Sequence, residues 1–254
     1  MTNTTPHNWW RSFFESADSL ELSFFPGDKE TGAQVRHLVR LLDLSTDDRI
    51  ADICCGYGRH LARLAKAGYD VVGLDSSEMM LGYCRELLDH AGLASQLVRG
   101  DASGLPFPDE SFDVVLNLFN SFGYFLEEGQ NMRVLQETAR ILKPGGRFFL
   151  DTRNRQFQIL YAPYCQPMTV GDDRELVLRC KYDRQTKRMR SCWSLPEEPE
   201  TVVHEASIRL YGLDELDELM HKAGFERTGV YGTYSGQAYA GHHRELLYAA
   251  RKRA

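Results

Sequence analysis

The sequence has no run of about 18 consecutive apolar residues, the minimum for a membrane-spanning helix. Met1–Ser12 also lacks the long apolar stretch of a secretory signal peptide. Basic residues do not predominate, because 30 lysines and arginines stand against 36 aspartates and glutamates, for a formal net charge of -6. Such a chain has no general attraction to nucleic acid or to an anionic membrane. We therefore expect a cytoplasmic protein with no nucleic-acid partner and no membrane partner.

Cysteines are few and show no pairing pattern. The chain has six, none in a Cys-x-x-Cys pair, and no histidine stands at zinc-ligand spacing from any of them. We expect free, reduced thiols and no metal site. The 254 residues, 43% apolar and 26% charged, suit one α/β domain with an insertion or a small cap.

The sequence does contain an alternation of apolar strands and amphipathic helices. Strands are predicted at 50–54, 70–74, 96–99, 112–118 and 147–151, with helices at 58–67, 77–91 and 128–142. Two more strands, 225–231 and 245–251, follow a helix at 213–223. This rhythm requires right-handed crossovers between parallel strands. The predicted fold class is α/β, with a doubly wound, mostly parallel, seven-stranded Rossmann-like sheet.

The rhythm is interrupted after the fifth strand. Residues 174–182, 187–195 and 203–210 are predicted to form a small antiparallel β insertion. The first two of these strands are joined by a plausible hairpin turn at 182–187. Basic residues cluster around that turn, which we interpret as a solvated hairpin tip. They are Lys181, Arg184, Lys187, Arg188 and Arg190.

A turn containing two glycines, Asp52–Gly58, follows the first strand. Glycines at such a turn let the main chain approach a ligand, and the following helix N-terminus offers free N–H groups. Asp75, at the end of the second strand, can accept hydrogen bonds from both hydroxyls of a ribose. These two features predict an adenosine-containing cofactor, and NAD fits them as well as any other.

Asp101 and Leu61 discriminate between the cofactors. Asp101 follows the third strand, where a carboxylate can accept a hydrogen bond from the exocyclic amine of adenine. Leu61 stands where the dinucleotide fingerprint Gly-x-Gly-x-x-Gly has its third glycine, so a pyrophosphate would lack the close packing this glycine permits. A sulfonium cofactor carries no phosphate and needs no such glycine. The pattern therefore favours S-adenosylmethionine (SAM) over NAD.

Four segments together resemble the class I SAM-dependent methyltransferases. Residues 50–60 are similar to the first motif of that family, and residues 72–77 are similar to its second. Gly100-Asp101-Ala102 with 105–107 resembles the third motif, and Leu-Lys-Pro-Gly-Gly at 142–146 resembles the turn before the fifth strand. Cys54 departs from the glycine that the family commonly has, which predicts a slightly narrower cofactor pocket.

The resemblance implies which residues hold SAM and how the chain is divided. The implied cofactor-binding residues are Asp52, Cys55, Gly56, Tyr57, Gly58, Asp75, Ser76, Met80, Asp101, Ala102 and Leu118. By this resemblance Asp75 binds the ribose hydroxyls and Asp101 binds the adenine edge. The main-chain oxygen of Leu118 accepts a hydrogen bond from the ammonium group of the cofactor. The implied domains are a helical lid at 1–30, a SAM-binding domain at 31–152 and 207–254, and a substrate cap at 153–206.

The loop after the fourth strand, residues 117–125, borders the place where the resemblance puts the transferring methyl group. Asn120 and Tyr124 are candidate catalytic residues there. His204 and Arg209 are further candidates, although His204 is alternatively structural and Arg209 alternatively pairs with an acidic neighbour. The loop lacks the Asn/Asp-Pro-Pro-Tyr/Phe sequence of enzymes that methylate nucleic-acid bases or protein glutamine. We therefore expect a small-molecule substrate.

Aromatic residues are expected on the acceptor side, where they suggest a partly aromatic or cationic substrate unless they are ordinary core. They are Trp9, Trp10, Phe13, Phe122, Tyr124, Trp193 and Tyr211. The leading hypothesis is a methyltransferase, monomeric or homodimeric, acting on nitrogen or oxygen of a metabolite. The alternatives are a SAM-binding enzyme that cyclises the aminobutyrate arm, an NAD-dependent dehydrogenase and a non-catalytic protein of the same fold.

Overall fold

Two β-sheets organise the protein, whose computed structural model describes residues 8–16, 27–170 and 173–253. Part of the predicted lid at 1–30, including Phe24 and Phe25, lies outside the described residues. No helix in the described ranges is long and apolar enough to cross a membrane.

The larger sheet has seven strands in the order β10-β11-β5-β4-β1-β2-β3. Its strands are β1 (Arg49–Ile53), β2 (Asp70–Asp75), β3 (Gln96–Arg99), β4 (Phe112–Asn117), β5 (Leu142–Arg153), β10 (Phe225–Tyr231) and β11 (Glu245–Lys252). The first five run parallel, and β11 runs antiparallel to both β5 and β10. The predicted fold class is confirmed.

Both faces of this sheet are covered by helices, which is why its strands read as continuous apolar runs. One face carries α2 (Asp28–Leu41), α3 (Arg59–Lys66) and α4 (Glu78–Ala91), and the other carries α5 (Glu128–Ile141) and α7 (Leu213–Lys222). Successive strand residues alternate between the two cores, so that Ile50 faces the first and Ala51 the second. The C-terminal ends of the parallel strands remain open for ligands.

The β5 strand begins earlier than the sequence indicates. It starts at Leu142, whereas the predicted strand starts at 147. The expected turn at 143–146 is accommodated as an irregularity: Phe112 pairs with Leu142, and the next pair is Val114 with Arg147. Gly145 takes the positive φ that this detour requires, +74°.

The smaller sheet is antiparallel and has the order β6-β7-β8-β9. Its strands are β6 (Tyr164–Val170), β7 (Arg174–Asp183), β8 (Arg188–Ser194) and β9 (Val202–Arg209). Strand β6 and the helix α6 (Arg155–Tyr161) were not predicted. The strand contains Pro167, which argues against a central strand but is tolerated at the edge position that β6 occupies. The domain boundaries stay a prediction; β9 ends three residues beyond the expected cap boundary at 206.

Arg188 corrects the interpretation of the basic cluster as a solvated tip. The residue is 7% exposed, and its guanidinium donates hydrogen bonds to the main-chain oxygens of Tyr124 at 2.9 Å and Phe125 at 3.0 Å. It also donates to the hydroxyl of Ser207 at 2.8 Å. Burial lowers its pKa to about 10. One buried cation therefore ties the loop after β4 to the smaller sheet.

Candidate active site

The turn after β1 has an unusual main-chain conformation. Cys54, Gly56 and Gly58 all have positive φ angles, of 60°, 56° and 80°. A left-handed conformation is costly for a residue with a Cβ, which gives a physical reason for glycine at the position of Cys54 in related proteins. Gly58 is the N-cap of α3, and a Cβ there would lie 2.3 Å from Sγ of Cys84. The turn therefore leads directly into the first turn of α3, whose main-chain N–H groups have no partner within the helix.

Asp75 holds this turn in place from the end of β2. Its Oδ2 accepts a hydrogen bond from the main-chain N–H of Gly56 at 2.8 Å, and its Oδ1 accepts one from Ser77 at 2.9 Å. Burial raises the pKa of Asp75, and these hydrogen bonds oppose the shift. A carboxylate so fixed can accept further hydrogen bonds from ribose hydroxyls on its cavity side.

Asp52 and Arg59 are both buried close to the turn and interact electrostatically. Asp52 is 2% exposed, and burial raises its pKa to about 7 although Arg59 opposes the shift. Arg59 is 7% exposed and donates through Nη1 to Gln34 at 2.8 Å, while its Nη2 has no hydrogen-bond partner among the described residues. Its guanidinium lies 4.8 Å from the ring centroid of Phe119. Sequence reasoning gave Arg59 no role; its position directly after Gly58 was the available signal.

Asp101 follows β3 and is held at the rim of the cavity. Its Oδ1 accepts hydrogen bonds from the main chain and hydroxyl of Ser103 at 2.9 and 2.8 Å. Arg11 of the N-terminal helix α1 (Trp9–Phe14) approaches its Oδ2 at 3.4 Å. This carboxylate therefore connects the third motif to the N-terminal segment.

The loop after β4 has a strained main chain and is hydrogen-bonded to Asp151. Phe119 and Asn120 have consecutive positive φ angles, of 57° and 62°. The main-chain N–H of Phe119 donates to the carboxylate of Asp151 at 3.1 Å, and Asn120 donates to the Asp151 main-chain oxygen at 3.0 Å. The main-chain oxygen of Leu118 accepts one hydrogen bond, from Ser121 at 2.9 Å, which leaves one lone pair for a ligand.

Aromatic side chains wall the cavity on the side of the smaller sheet. Tyr124 lies 4.9 Å from Trp9 and 6.2 Å from both Trp10 and Phe14, measured between ring centroids. Burial raises the pKa of the Tyr124 hydroxyl, so it stays protonated at neutral pH. The predicted aromatic wall also includes Trp193, whereas Tyr211 lies outside the cavity lining. These rings make that side of the cavity largely apolar.

One cavity of about 1140 Å³ joins these features. It is lined by every predicted cofactor residue except Gly58, and by two candidate catalytic residues, Asn120 and Tyr124. His204 and Arg209 are not among the described residues that line it. His204 lies 5.7 Å from the ring of Phe13 and borders a separate cavity of about 440 Å³.

Arg209 lies in a network behind the loop. Its Nε donates to Glu128 at 2.7 Å, its Nη2 donates to Glu215 at 3.2 Å, and its guanidinium stacks 4.4 Å from the ring of Tyr211. The Arg209 main-chain N–H donates to the oxygen of Gly123 at 2.8 Å. These contacts position the loop from outside the cavity. No group of three or more potential metal ligands occurs among the described residues.

Comparison with known proteins identifies the family. A family model described as a methyltransferase domain matches residues 50–146. The cypemycin N-terminal methyltransferase of a Streptomyces species is 32% identical over 203 residues, which span 78% of this chain and 80% of that protein. The chain belongs to the class I SAM-dependent methyltransferases. This membership decides in favour of SAM over NAD and in favour of an enzyme.

Other methyltransferases are also similar to this chain, either in sequence or in fold. A demethylmenaquinone methyltransferase of Bacillus cereus (strain ATCC 10987 / NRS 248) is 29% identical over 200 residues, 77% of either protein. The solved structure of the CcbJ methyltransferase from Streptomyces caelestis superposes with a TM-score of 0.80. It is 20% identical and covers 96% of this chain and 99% of its own, so that likeness shows the shared fold, including the second sheet.

Proposed function

We propose that this methyltransferase transfers a methyl group from SAM to a nitrogen or oxygen atom of a small molecule. The observation that carries the proposal is the single cavity of about 1140 Å³ between the motif turn and the aromatic wall. Cavities for one small ligand commonly measure about 300–1,000 Å³. This one offers room for a donor and a small acceptor side by side.

The described residues fit SAM along the whole motif edge. Asp75 would accept hydrogen bonds from the ribose hydroxyls, and Asp101 would accept one from the adenine amine. Asp52 and the main-chain oxygen of Leu118 would bind the ammonium group. The Nη2 of Arg59, which has no partner among the described residues, suits the carboxylate of the methionyl arm, because a buried N–H donor left unpaired is costly. The turn at Cys55–Gly58, with Ser76, Met80 and Ala102, would pack around these groups.

SAM supplies an electrophilic methyl group on a positively charged sulfur. The protein's contribution is to hold the acceptor in line with that group and to keep water away. Asn120 borders the acceptor space and Tyr124 walls it. His204 and Arg209 lie away from the cavity, and we assign them supporting roles in the second sheet and the loop. The name of the cypemycin N-terminal enzyme supports nitrogen as the acceptor atom.

The proposal is tested by the products formed from SAM. The enzyme is incubated with methyl-deuterated SAM and a deproteinised small-molecule extract of its source, and the products are analysed by mass spectrometry. We expect S-adenosylhomocysteine together with one deuteromethylated small molecule. Methylthioadenosine as the product would instead indicate cyclisation of the aminobutyrate arm. A D75A variant, whose proposed ribose acceptor is absent, serves as the negative control.

A further inference from the structure

A buried carboxylate that the proposed cofactor site does not use lies near the end of β5. Asp151 is 3% exposed and lines the large cavity. Its Oδ2 accepts hydrogen bonds from the main-chain N–H of Phe119 at 3.1 Å and from the hydroxyl of Tyr234 at 2.7 Å. Its Oδ1 is also buried and accepts none from the described residues. Buried polar atoms nearly always have partners, so this oxygen points to a ligand atom.

Asn120 offers a second acceptor beside it. The Oδ1 of Asn120 is buried, has no hydrogen-bond partner in the described part of the chain, and belongs to a residue that lines the same cavity. The main-chain hydrogen bond between Asn120 and Asp151, at 3.0 Å, makes the two residues neighbours. Each of these two neighbouring residues therefore has a buried acceptor oxygen without a donor among the described residues.

The surroundings leave Oδ1 of Asp151 open to a hydrogen-bond donor. Burial raises its pKa, and the hydroxyl of Tyr234 and the guanidinium groups of Arg59 and Arg153 oppose that shift. Glu245 on β11 interacts with Asp151 across the sheet, and its own pKa is raised, chiefly by burial. Neither arginine occupies Oδ1. In the sheet, β4 lies between β5 and β1, so one strand separates Asp151 from the motif turn after β1.

We propose that Asp151, together with Asn120, binds the reacting nitrogen of the acceptor, so that the substrates of this enzyme are amines. This inference rests on the proposed function and names its substrate class. A neutral primary amine has two N–H donors and one lone pair, so its donors match the two oxygens and its lone pair stays free for the methyl group. An alcohol has one donor and leaves one buried oxygen unpaired, a loss of roughly 10- to 100-fold in affinity. A carboxylate or phosphate has no donor and is repelled.

The proposed step balances in atoms and charge. An amine enters as an ammonium ion and releases one proton to water, which frees the nitrogen lone pair, while its two remaining N–H groups donate to Oδ1 of Asp151 and Oδ1 of Asn120. That lone pair forms the new C–N bond while the bond between the methyl carbon and sulfur breaks, and the electrons of that bond go to sulfur. The carboxylate of Asp151 stabilises the positive charge that develops on nitrogen. The nitrogen leaves as a methylammonium ion.

The D151N variant tests this role because it preserves the local structure. Asparagine keeps one oxygen for Phe119 and Tyr234 and replaces only the unpartnered oxygen with an amide NH₂. We expect transfer to the amine acceptor to fall by about 10- to 100-fold. The affinity for S-adenosylhomocysteine, measured by calorimetry, should stay within about twofold of the original value. The Y234F variant, which leaves Oδ1 untouched, should lose less activity than D151N.

The acceptor is identified with methyl-deuterated SAM and the deproteinised extract, separated by cation exchange. We expect the labelled product in the fraction that the cation-exchange column retains, with the deuteromethyl group on nitrogen, as fragment-ion masses would show. The amount of this product should be lower with D151N. Label on oxygen, or an undiminished amine product from D151N, would overturn the inference and leave the proposed function in place. Label on carbon would overturn both and leave only methyl transfer from SAM. No labelled product in any fraction would contradict the proposed function.

Two further results would also decide the role of Asp151. A D151N protein that unfolds cooperatively but binds S-adenosylhomocysteine at least tenfold more weakly would assign Asp151 to the cofactor and overturn the inference. Should D151N fail to fold, the N120G variant takes its place, because it removes the second acceptor and glycine tolerates the positive φ of this position. Loss of the labelled amine with retained S-adenosylhomocysteine binding supports the inference, and an unchanged amine product contradicts it.

Discussion

The two sides of the cavity are built by different means. On the side that we propose for the cofactor, carboxylates at strand ends and a turn with left-handed residues are fixed by hydrogen bonds close by, such as those that Asp75 accepts from Gly56 and Ser77. On the side that we propose for the acceptor, rings of α1 and the smaller sheet meet a loop that is anchored by Arg188 and Arg209 from β8 and β9. The first side depends on main-chain geometry, and the second on packing between distant segments.

That difference determines what a mutation does. A change on the cofactor side should weaken binding of SAM and leave the rest of the fold in place. A change on the acceptor side should loosen the attachment of the second sheet and only then affect transfer. The four predictions below test this contrast, in order of decreasing free-energy effect.

The largest effect is expected for R188A. The substitution removes a buried cation that donates to Tyr124, Phe125 and Ser207. Loss of several charge-assisted hydrogen bonds should lower the free energy of unfolding by about 3 kcal/mol. Urea denaturation measures this, with R184A as the control, because Arg184 belongs to the same basic cluster but is exposed. Equal, small effects of the two variants would show that the loop is held by other contacts.

The D75A variant should lose about 100-fold in affinity for S-adenosylhomocysteine. Two hydrogen bonds that hold the motif turn disappear together with the proposed ribose acceptor, and each hydrogen bond to a charged group contributes about 1.5–3 kcal/mol. Isothermal titration measures the affinity. The control is D113A, because Asp113 binds the main-chain N–H of Arg49 and the amine of Lys143 at the opposite end of the sheet. Unchanged affinity in D75A would contradict the assigned cofactor site.

Affinity for S-adenosylhomocysteine should fall about tenfold between about pH 8 and about pH 6. Burial raises the pKa of Asp52 to about 7, so below that pH the carboxyl becomes neutral and no longer attracts the ammonium group. For the same reason the ligand-free protein holds a proton that the unfolded chain releases. The contribution of Asp52 to the free energy of unfolding should therefore decrease from about pH 4 to about pH 7 and then level off.

The D52N variant checks both parts of that pH dependence, since an amide does not titrate. Arg59, Asp75, Tyr234, Cys54 and Cys55 interact electrostatically with Asp52, and all of them remain in the variant. Both pH profiles are expected to be shallower in D52N, because the contribution of Asp52 is lost. If the variant keeps the original slope, the pH dependence arises from another group.

The smallest effect is expected for Y124F. The hydroxyl of Tyr124 is buried and its pKa is raised, so it is not a base near neutral pH. Removing it leaves the ring contacts with Trp9, Trp10 and Phe14 intact. Methyl transfer should stay within about threefold of the original kcat/KM, consistent with the loss of at most one weak hydrogen bond. The Y124A variant, which removes the ring, is the matched comparison and should lose considerably more; a large loss in Y124F would instead indicate a chemical role for the hydroxyl.

Several parts of the site were predictable because they depend on short segments. Asp52, Asp75 and Asp101 stand at the ends of successive strands, and parallel strands bring those ends to one edge of a sheet. Ser77 was expected to begin its helix, and its hydroxyl does accept a hydrogen bond from Met80 at 3.1 Å. Strand β6 and helix α6 escaped prediction, because a proline-containing edge strand has no clear pattern of its own.

The sequence by itself determined the order of the elements, the cofactor edge of the sheet and hence the methyl donor. These follow from hydrophobic periodicity and from residues whose partners lie nearby in the chain or at the next strand end. Only the tertiary structure decided the acceptor side. In the structure Arg188, which was predicted to be solvated, is buried, and His204 and Arg209 lie away from the large cavity. Asp151 lies next to Asn120, and one of its carboxylate oxygens has no hydrogen-bond donor among the described residues. Burial and unmet hydrogen bonds are properties of the packed molecule, because they depend on residues that are distant in sequence.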